Sequence, residues 1–463
     1  MTAPTQAGIA RSRTSPPIWE LGGRWRDWGA GSWRLEPESR RFREELSLPA
    51  DRALVLTGHQ SVIWHPGILA KYIAATQIAQ AQGAAAAALV VNHDVDDPSL
   101  ISFPVLAATG RLQRRLHPWI GAAEDGRMPA YRPAATPASA RLADGESWPM
   151  DAVKHGVARM EQALAAHAGA EDLAAQLAAA TADLAQPWIG AMPRINTLQL
   201  AGTTAFAELV ERLRHDPEPA VRAYNQAVTS QQGHGVAPLR CGDSPGQLEL
   251  PLWRIDADGR RQRLFAVDLP DCDAAALVPR ALLMTGLVRL LGCDLFIHGT
   301  GGAAYDRVTD AWLAAWLGID PARDLAQDLL VTATLHLPFH RTGASAEEVE
   351  AGRQALRRLQ HDPAALGEDG LGERKLRLVQ EIADLPRRSE ARARLYRQMH
   401  ALLAEARARH ADRIGAAAAD VVELQRRFAE RTVLEGRDWP FPLYPQAQLD
   451  DLAAELSQRW GRA

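Results

Sequence analysis

Apolar positions repeat at two periods along the chain. Leu54-Val55-Leu56 reads as a short buried strand. From Gly67 to Gln82, apolar residues at Ile68, Leu69, Tyr72, Ile73, Ile78 and Ala79 follow helical spacing, and Gly83 stops the helix. Ala87 to Val91 is a second buried strand, so the three segments form a βαβ unit with parallel, adjacent strands. Residues 150–232 read as mostly helical, with a cap at Ser147 or Asp151 and amphipathic spacing through Leu173, Leu177 and Leu184. Leu252 to Ile255 and Arg263 to Phe265 flank Asp256-Ala257-Asp258-Gly259, a hairpin signal. Asp294 to His298 is again strand-like. Gly299-Thr300-Gly301-Gly302 follows as a loop, then a helix from Ala303 to about Leu317, and Leu329 to Leu335 is a further strand candidate.

From about Ala344 the chain becomes charged and helical. Leu395, Met399, Leu402, Ala406, His410, Ile414, Ala417, Val421, Leu424 and Phe428 step by threes and fours, a coiled-coil seam with a phase slip near His410. Val349, Leu356 and Leu359, then Leu376, Val379 and Ile382, could line the opposing helix. Such an arm suits a surface hairpin or a homodimer contact equally well. The expected organisation is an N-terminal arm (1–50), the first half of an α/β core (51–149), a helical insertion (150–232), the second half of the core (233–343), a helical arm (344–435) and a tail docking on the core (436–463).

Composition narrows the class. A chain of 463 residues exceeds one core of ordinary size. A formal charge of −4 gives no reason to expect a nucleic-acid partner or an anionic membrane. Cys241, Cys272 and Cys293 are odd in number and widely spaced, which suits a reducing compartment. The first residues lack the apolar core of a signal peptide, and no apolar run is long enough to span a bilayer, so the cytoplasm is the expected location. Arginine fills most cationic positions; Lys71, Lys154 and Lys375 are the only lysines.

Three segments follow the carboxyl ends of strands, where open parallel sheets bind ligands. Thr57 to Gly67 (TGHQSVIWHPG) carries His59 and His65, with Gly58 and Gly67 allowing close backbone approach. It is similar to the His-containing loop of nucleotidyltransferase-like folds, without their H-x-G-H spacing. Asn92-His93-Asp94-Val95-Asp96-Asp97 crowds three carboxylates beside a histidine, which calls for solvation, pairing or a cation. His298-Gly299-Thr300-Gly301-Gly302 opens a helix as a phosphate or carboxylate cradle would, but is neither a P-loop nor a G-x-G-x-x-G turn. Each segment alone could be an ordinary turn; their coincidence at one edge is the signal. Gly242-Asp243-Ser244-Pro245-Gly246 matches G-x-S-x-G by letter. It lacks the strand before and the helix after that a nucleophile elbow needs, so it reads as a turn.

Together these segments resemble the bacillithiol biosynthesis cysteine-adding enzymes, a family of cysteine ligases. Thr57 to Gly67 aligns with T-G-Q-Q-x-G-L-F-x-G-P, and Val91-Asn92-His93-Asp94-Val95-Asp96-Asp97 with E-D-H-D-x-x-E. Val278-Pro279-Arg280 and Phe296 to Tyr305 align with L-R-P and with G-G-P-G-E-I-A-Y. The resemblance spans about residues 50–445. Its departures are His59 for Gln, Pro66-Gly67 for Gly-Pro, Val91-Asn92 for the first two acids, and no acid at Gly302 or Ala303.

The resemblance implies a Rossmann-like parallel-sheet core with a helical insertion and a C-terminal antiparallel coiled-coil arm. It implies a ligase that joins an amino acid, cysteine in the family, to the amine of a small acceptor. ATP or another nucleotide would activate the carboxylate; Mg²⁺ is compatible, but no motif specifies it. In that scheme His93 or Asp94 deprotonates the amine, Asp97 orients His93 or contacts the acceptor amine, and His59 faces phosphate. Thr57, Gly58, Gln60, His65, Gly67, Lys71, Arg280, His298, Gly299, Gly301, Gly302 and Tyr305 would contact substrate or nucleotide. Nucleotidyl transfer on the same fold and a non-catalytic metabolite-binding scaffold are the competing expectations.

Overall fold

A computed structural model describes residues 36–94, 97–121, 126–231, 235–242 and 245–460. Residues 1–35 of the expected N-terminal arm, Val95 and Asp96 of the acidic segment, and Asp243 and Ser244 lie outside the described residues.

Helix α1 (Pro37–Glu45) leads to β1 (Leu54–Gln60), α2 (Pro66–Ala81) and β2 (Ala85–Val91). An antiparallel hairpin follows, β3 (Leu100–Leu106) with β4 (Leu112–Pro118). Helices α3 (Asp151–Ala166) and α4 (Leu173–Ile189) precede β5 (Arg194–Asn196). Helices α5 (Thr197–Ala201), α6 (Thr204–His215) and α7 (Glu218–Ser230) come after it. Strands β6 (Glu249–Ile255), β7 (Arg261–Phe265) and β8 (Leu277–Pro279) make a second antiparallel sheet, ordered β7-β6-β8. Then come α8 (Ala281–Leu287), β9 (Leu295–His298), α9 (Thr300–Leu317), α10 (Pro321–Asp324) and β10 (Gln327–Leu330). Helices α11 (Ala346–His361), α12 (Asp369–Ala383), α13 (Glu390–Arg409), α14 (Ala411–Leu434) and α15 (Gln446–Trp460) complete the chain.

The molecule is mixed α/β around a five-stranded parallel sheet, ordered β10-β9-β1-β2-β5. The period-two alternation in β1 splits two cores. Leu54 and Leu56 join Ala87, Leu89, Ile195 and Phe296 on one face, packed under α6 to α9. Val55 joins Ala88, Leu295, Ile297 and Leu329 on the other, under α2, α4 and α15. Helix α2 is buried on nearly every side because it lies between the sheet and α15, which explains why its apolar residues extend around the helix. Trp439, Phe441 and Leu443 are fully buried in the α2-side core.

Strand order reverses at β1: β2 and β5 extend to one side, β9 and β10 to the other. The crevice outside the carboxyl ends of β1 and β9 is therefore the switch point where such sheets hold ligands.

Several elements differ from the sequence expectation. The first strand continues through Thr57 to Gln60, so only the latter part of TGHQSVIWHPG is loop. Helix α9 begins at Thr300, so Gly301 and Gly302 form its first turn rather than a preceding loop. Besides helices α3 to α7, residues 150–232 supply β5 to the sheet edge. Helix α3 starts at Asp151 with Met150 as its N-cap residue and no side-chain cap. The last strand ends at Leu330, paired with His298, because its neighbour β9 ends there. The seam through Leu395 to Phe428 is interrupted at His410, between α13 and α14; α14 packs on α11 and α13 on α12. The phase slip in the pattern falls at that break. Among the described residues no helix is long and apolar enough to cross a membrane.

Candidate functional site

A cleft of about 370 Å³ opens at the switch point. Gly58, His59 and Gln60 from the end of β1 line it, with His65, Gly67 and Lys71 from α2 and its entry. Asp94 follows β2. His298 ends β9, and Gly299, Gly301, Gly302 and Tyr305 lie at the start of α9. All twelve are among the residues singled out in the sequence, brought together from segments over two hundred positions apart.

Close backbone approach shapes the floor. A Cβ on Gly58 would come within 2.9 Å of the Leu89 carbonyl oxygen, and one on Gly67 within 2.8 Å of the Ala333 oxygen. Among the described residues no side chain caps the N-terminus of α9, an 18-residue helix whose N-cap is Gly299. Its positive dipole end therefore faces the cleft and favours an anion.

Lys71 is buried, and its Nζ donates to the Gly58 carbonyl. It makes no ion pair with a described carboxylate, and burial pulls its pKa down to about 7. The neighbouring imidazoles are held neutral. Burial, then the charge on Lys71, lowers His59 well below the ordinary histidine value. Burial, then Arg437, lowers His65 to about 4. His65 also caps α2 through Nδ1, which accepts from Gly67 N at 3.1 Å, a bond that requires that nitrogen unprotonated. Gln60 Nε2 donates to Asp94 Oδ2 at 3.1 Å, and Arg261 Nη1 lies 3.8 Å from Asp94 Oδ1. On the other face of β1 and β2, His59 and Gln60 also border a narrow apolar cavity of about 20 Å³ beside stacked Trp64 and Tyr72.

Four sequence candidates lie outside the cleft lining. Thr57 is fully buried, and its Oγ1 donates to the Ile297 carbonyl at 2.8 Å, tying β1 to β9. Arg280 is taken up by Glu249 at 2.6 Å and stacks on Trp253 at 3.9 Å. Asp97 caps its own turn through Ser99 and pairs with Arg132 at 2.7 Å. His93 is buried, with its pKa drawn down to about 4 by burial and then Arg261. That value suits a proton acceptor at neutral pH poorly.

Sequence reasoning missed Asp306. Its Oδ2 lies 2.6 Å from His298 Nε2, and Arg289 Nη1 stands 3.4 Å from its Oδ1. The signal was present: His298 and Asp306 flank the glycine turn, and Asp306 is one helical turn past Gly302, where the resembled motif carries its acid nearer the glycines. Burial alone would raise the Asp306 pKa, but His298 and Arg289 outweigh it and hold the carboxyl low.

The arrangement can hold an anionic group between Lys71 and the α9 N-terminus, with a histidine–aspartate pair alongside. No family model matches the chain. No curated protein matches it.

Proposed function

We propose that the protein is a carbon–nitrogen bond-forming ligase that activates the carboxylate of an amino acid and joins it to the amine of a small acceptor. The observation that carries this reading is the convergence of three strand ends on one cleft lined by a buried lysine and a helix N-terminus that, among the described residues, have no carboxylate partner and no side-chain cap. Amide formation in water needs an activated carboxylate, and activation by a nucleotide brings phosphates that these two features would neutralise. Neutral imidazoles nearby suit an amine nucleophile, which must also be neutral to attack.

The reversal of strand order at β1 supports a Rossmann-like core, and the motifs at Thr57, His93-Asp94 and Gly299 support kinship with the cysteine-adding ligases. The pairing of α11 with α14 and α12 with α13 supports an antiparallel coiled-coil arm. Leu376, Val379, Val422 and Phe428, exposed on it, support self-association of two copies. The reading assigns the enzyme to the cytoplasm and its substrates to small metabolites.

The test is to incubate the full chain with ATP, Mg²⁺, cysteine or other amino acids, and a panel of small primary-amine acceptors. Amide product with ADP and phosphate is expected. Pyrophosphate release would favour nucleotidyl transfer instead, and saturable binding without turnover would favour a scaffold.

A further inference from the structure

We propose that His298 is the base that deprotonates the acceptor amine, and that Asp306 is its positioning residue, fixing the proton on Nε2 and turning the Nδ1 lone pair to the cleft. This rests on the ligation reading above and replaces the assignment of His93 as base.

The geometry is built from three elements. His298 ends β9, Asp306 lies in the second turn of α9, and Arg289 follows α8. The side chains of His298 and Asp306 are 10% and 2% exposed, so water does not compete for their contact. Arg289 is fixed in turn by Asp310 at 2.7 Å and by its Nε donating to the Ala326 carbonyl at 3.1 Å. His298 Nε2 and Asp306 Oδ2 lie 2.6 Å apart and neither atom has another hydrogen-bond partner among the described residues, so a proton on Nε2 is the arrangement that lets the two satisfy each other. The remaining lone pair is then on Nδ1.

Gly302 stands beside that nitrogen: a Cβ there would overlap Nδ1. Glycine at this point keeps the base uncovered. The ring also packs against Phe296, with centroids 4.4 Å apart, which fixes its plane. Other ionisable groups face the pair from the surrounding elements: Asp310 and Asp328 on the Arg289 side, and Lys71, His59 and Asp94 across the cleft. Burial, then Asp306, raises the Asp328 pKa, so the carboxylates around Arg289 do not all ionise alike.

In the reaction, a nucleoside triphosphate first transfers its terminal phosphoryl group to the amino-acid carboxylate. The acceptor nitrogen attacks the resulting acyl phosphate. The new C–N bond forms, the C–O bond to phosphate breaks with its electron pair leaving on phosphate, and the nitrogen's proton passes to Nδ1 and then to solvent. Asp306 stabilises the imidazolium formed, as an orienting carboxylate does in other histidine-based sites.

The test compares wild type with Asp306→Asn, a near-isosteric change that preserves packing. Arg289 Nη1, 3.4 Å from Asp306 Oδ1, favours the amide oxygen on its side, which turns the amide nitrogen toward Nε2 and moves the proton to Nδ1. Proton–nitrogen correlation spectra of the imidazoles should show the Nε2–H tautomer for His298 in wild type and Nδ1–H in the variant. Amide formation should fall by roughly 10²–10⁴-fold in kcat with KM little changed. An Nδ1–H tautomer in wild type, or a switched tautomer with unchanged kcat, would overturn the proposal. Absence of ligation in wild type would overturn the base role together with the ligation reading, while the tautomer spectra would still report whether Asp306 pairs with His298.

Discussion

Lys71 and Arg43 are both buried cations on helices packed against the same parallel sheet, one on each face. Arg43 donates to Asp294 at 2.8 Å, with both side chains only 1% exposed, and Asp294 also accepts from Leu54 N. That pair clamps α1 to the start of β1. Lys71 has a backbone carbonyl and no described carboxylate. A buried charge held by a counter-ion at the amino end of the strands is structural. A buried amine with no described counter-ion at their carboxyl ends is the pattern expected of a functional site, and it is the basis of the proposed anion site.

The largest expected effect tests the structural half of that contrast. Asp294→Ala strands Arg43 without its partner in the core and should cost about 3–5 kcal/mol in denaturant unfolding. A change below 1 kcal/mol would mean that the pair is not the clamp described. Lys71→Met should act in the opposite direction. The lysine's folded pKa, about 7, lies below its ordinary 10.5, so the folded state disfavours the charged form. The resulting penalty is full below about pH 7 and vanishes as pH rises toward 10.5. That pKa difference is worth about 5 kcal/mol on the acid side, and losing the bond to the Gly58 carbonyl takes back about 1–2 kcal/mol, so the variant should be more stable than wild type by roughly 3 kcal/mol there, with the gap closing at alkaline pH. A variant less stable than wild type at every pH would contradict the absence of a counter-ion. The smallest effect concerns Thr57, which matches the ligase motif yet points into the core. Thr57→Val should lose about 1 kcal/mol of stability through the Ile297 carbonyl. Ligand affinity should stay intact, as a binding titration would show.

Much of the site was legible because its residues carry local signatures. Glycines and histidines at strand ends announced His59, His65 and His298, and the scarcity of lysine drew attention to Lys71. The strands β1, β2 and β9 were legible from short apolar runs between turn residues. What escaped depends on distant contacts. Strand β5 is three residues, Arg194-Ile195-Asn196, with one apolar side chain, and only its neighbour Ala88-Leu89-Val90 makes it a strand. Asp306 is one acid among many on a helix, and its role exists only because the turn at Gly299 folds it back on His298. His93 looked like the base because a histidine among carboxylates suggests chemistry, but Asp97 turns to Arg132 and His93 is buried away from the cleft lining. In the helical arm, the period described the seam and marked a slip near His410, while the end of one helix and start of the next there, with His410 Nε2 3.1 Å from Glu368 Oε1, depend on a contact the pattern does not carry.

The central claim is that the switch-point cleft binds an anionic ligand through Lys71. Calorimetric titration of the full chain with ATP at neutral pH tests it most directly, comparing wild type, Lys71→Met and Asp294→Asn. Saturable binding to wild type is expected, weakened by at least about tenfold (about 1.4 kcal/mol) in Lys71→Met and unchanged in folded Asp294→Asn. Equal affinity in wild type and Lys71→Met would contradict the account.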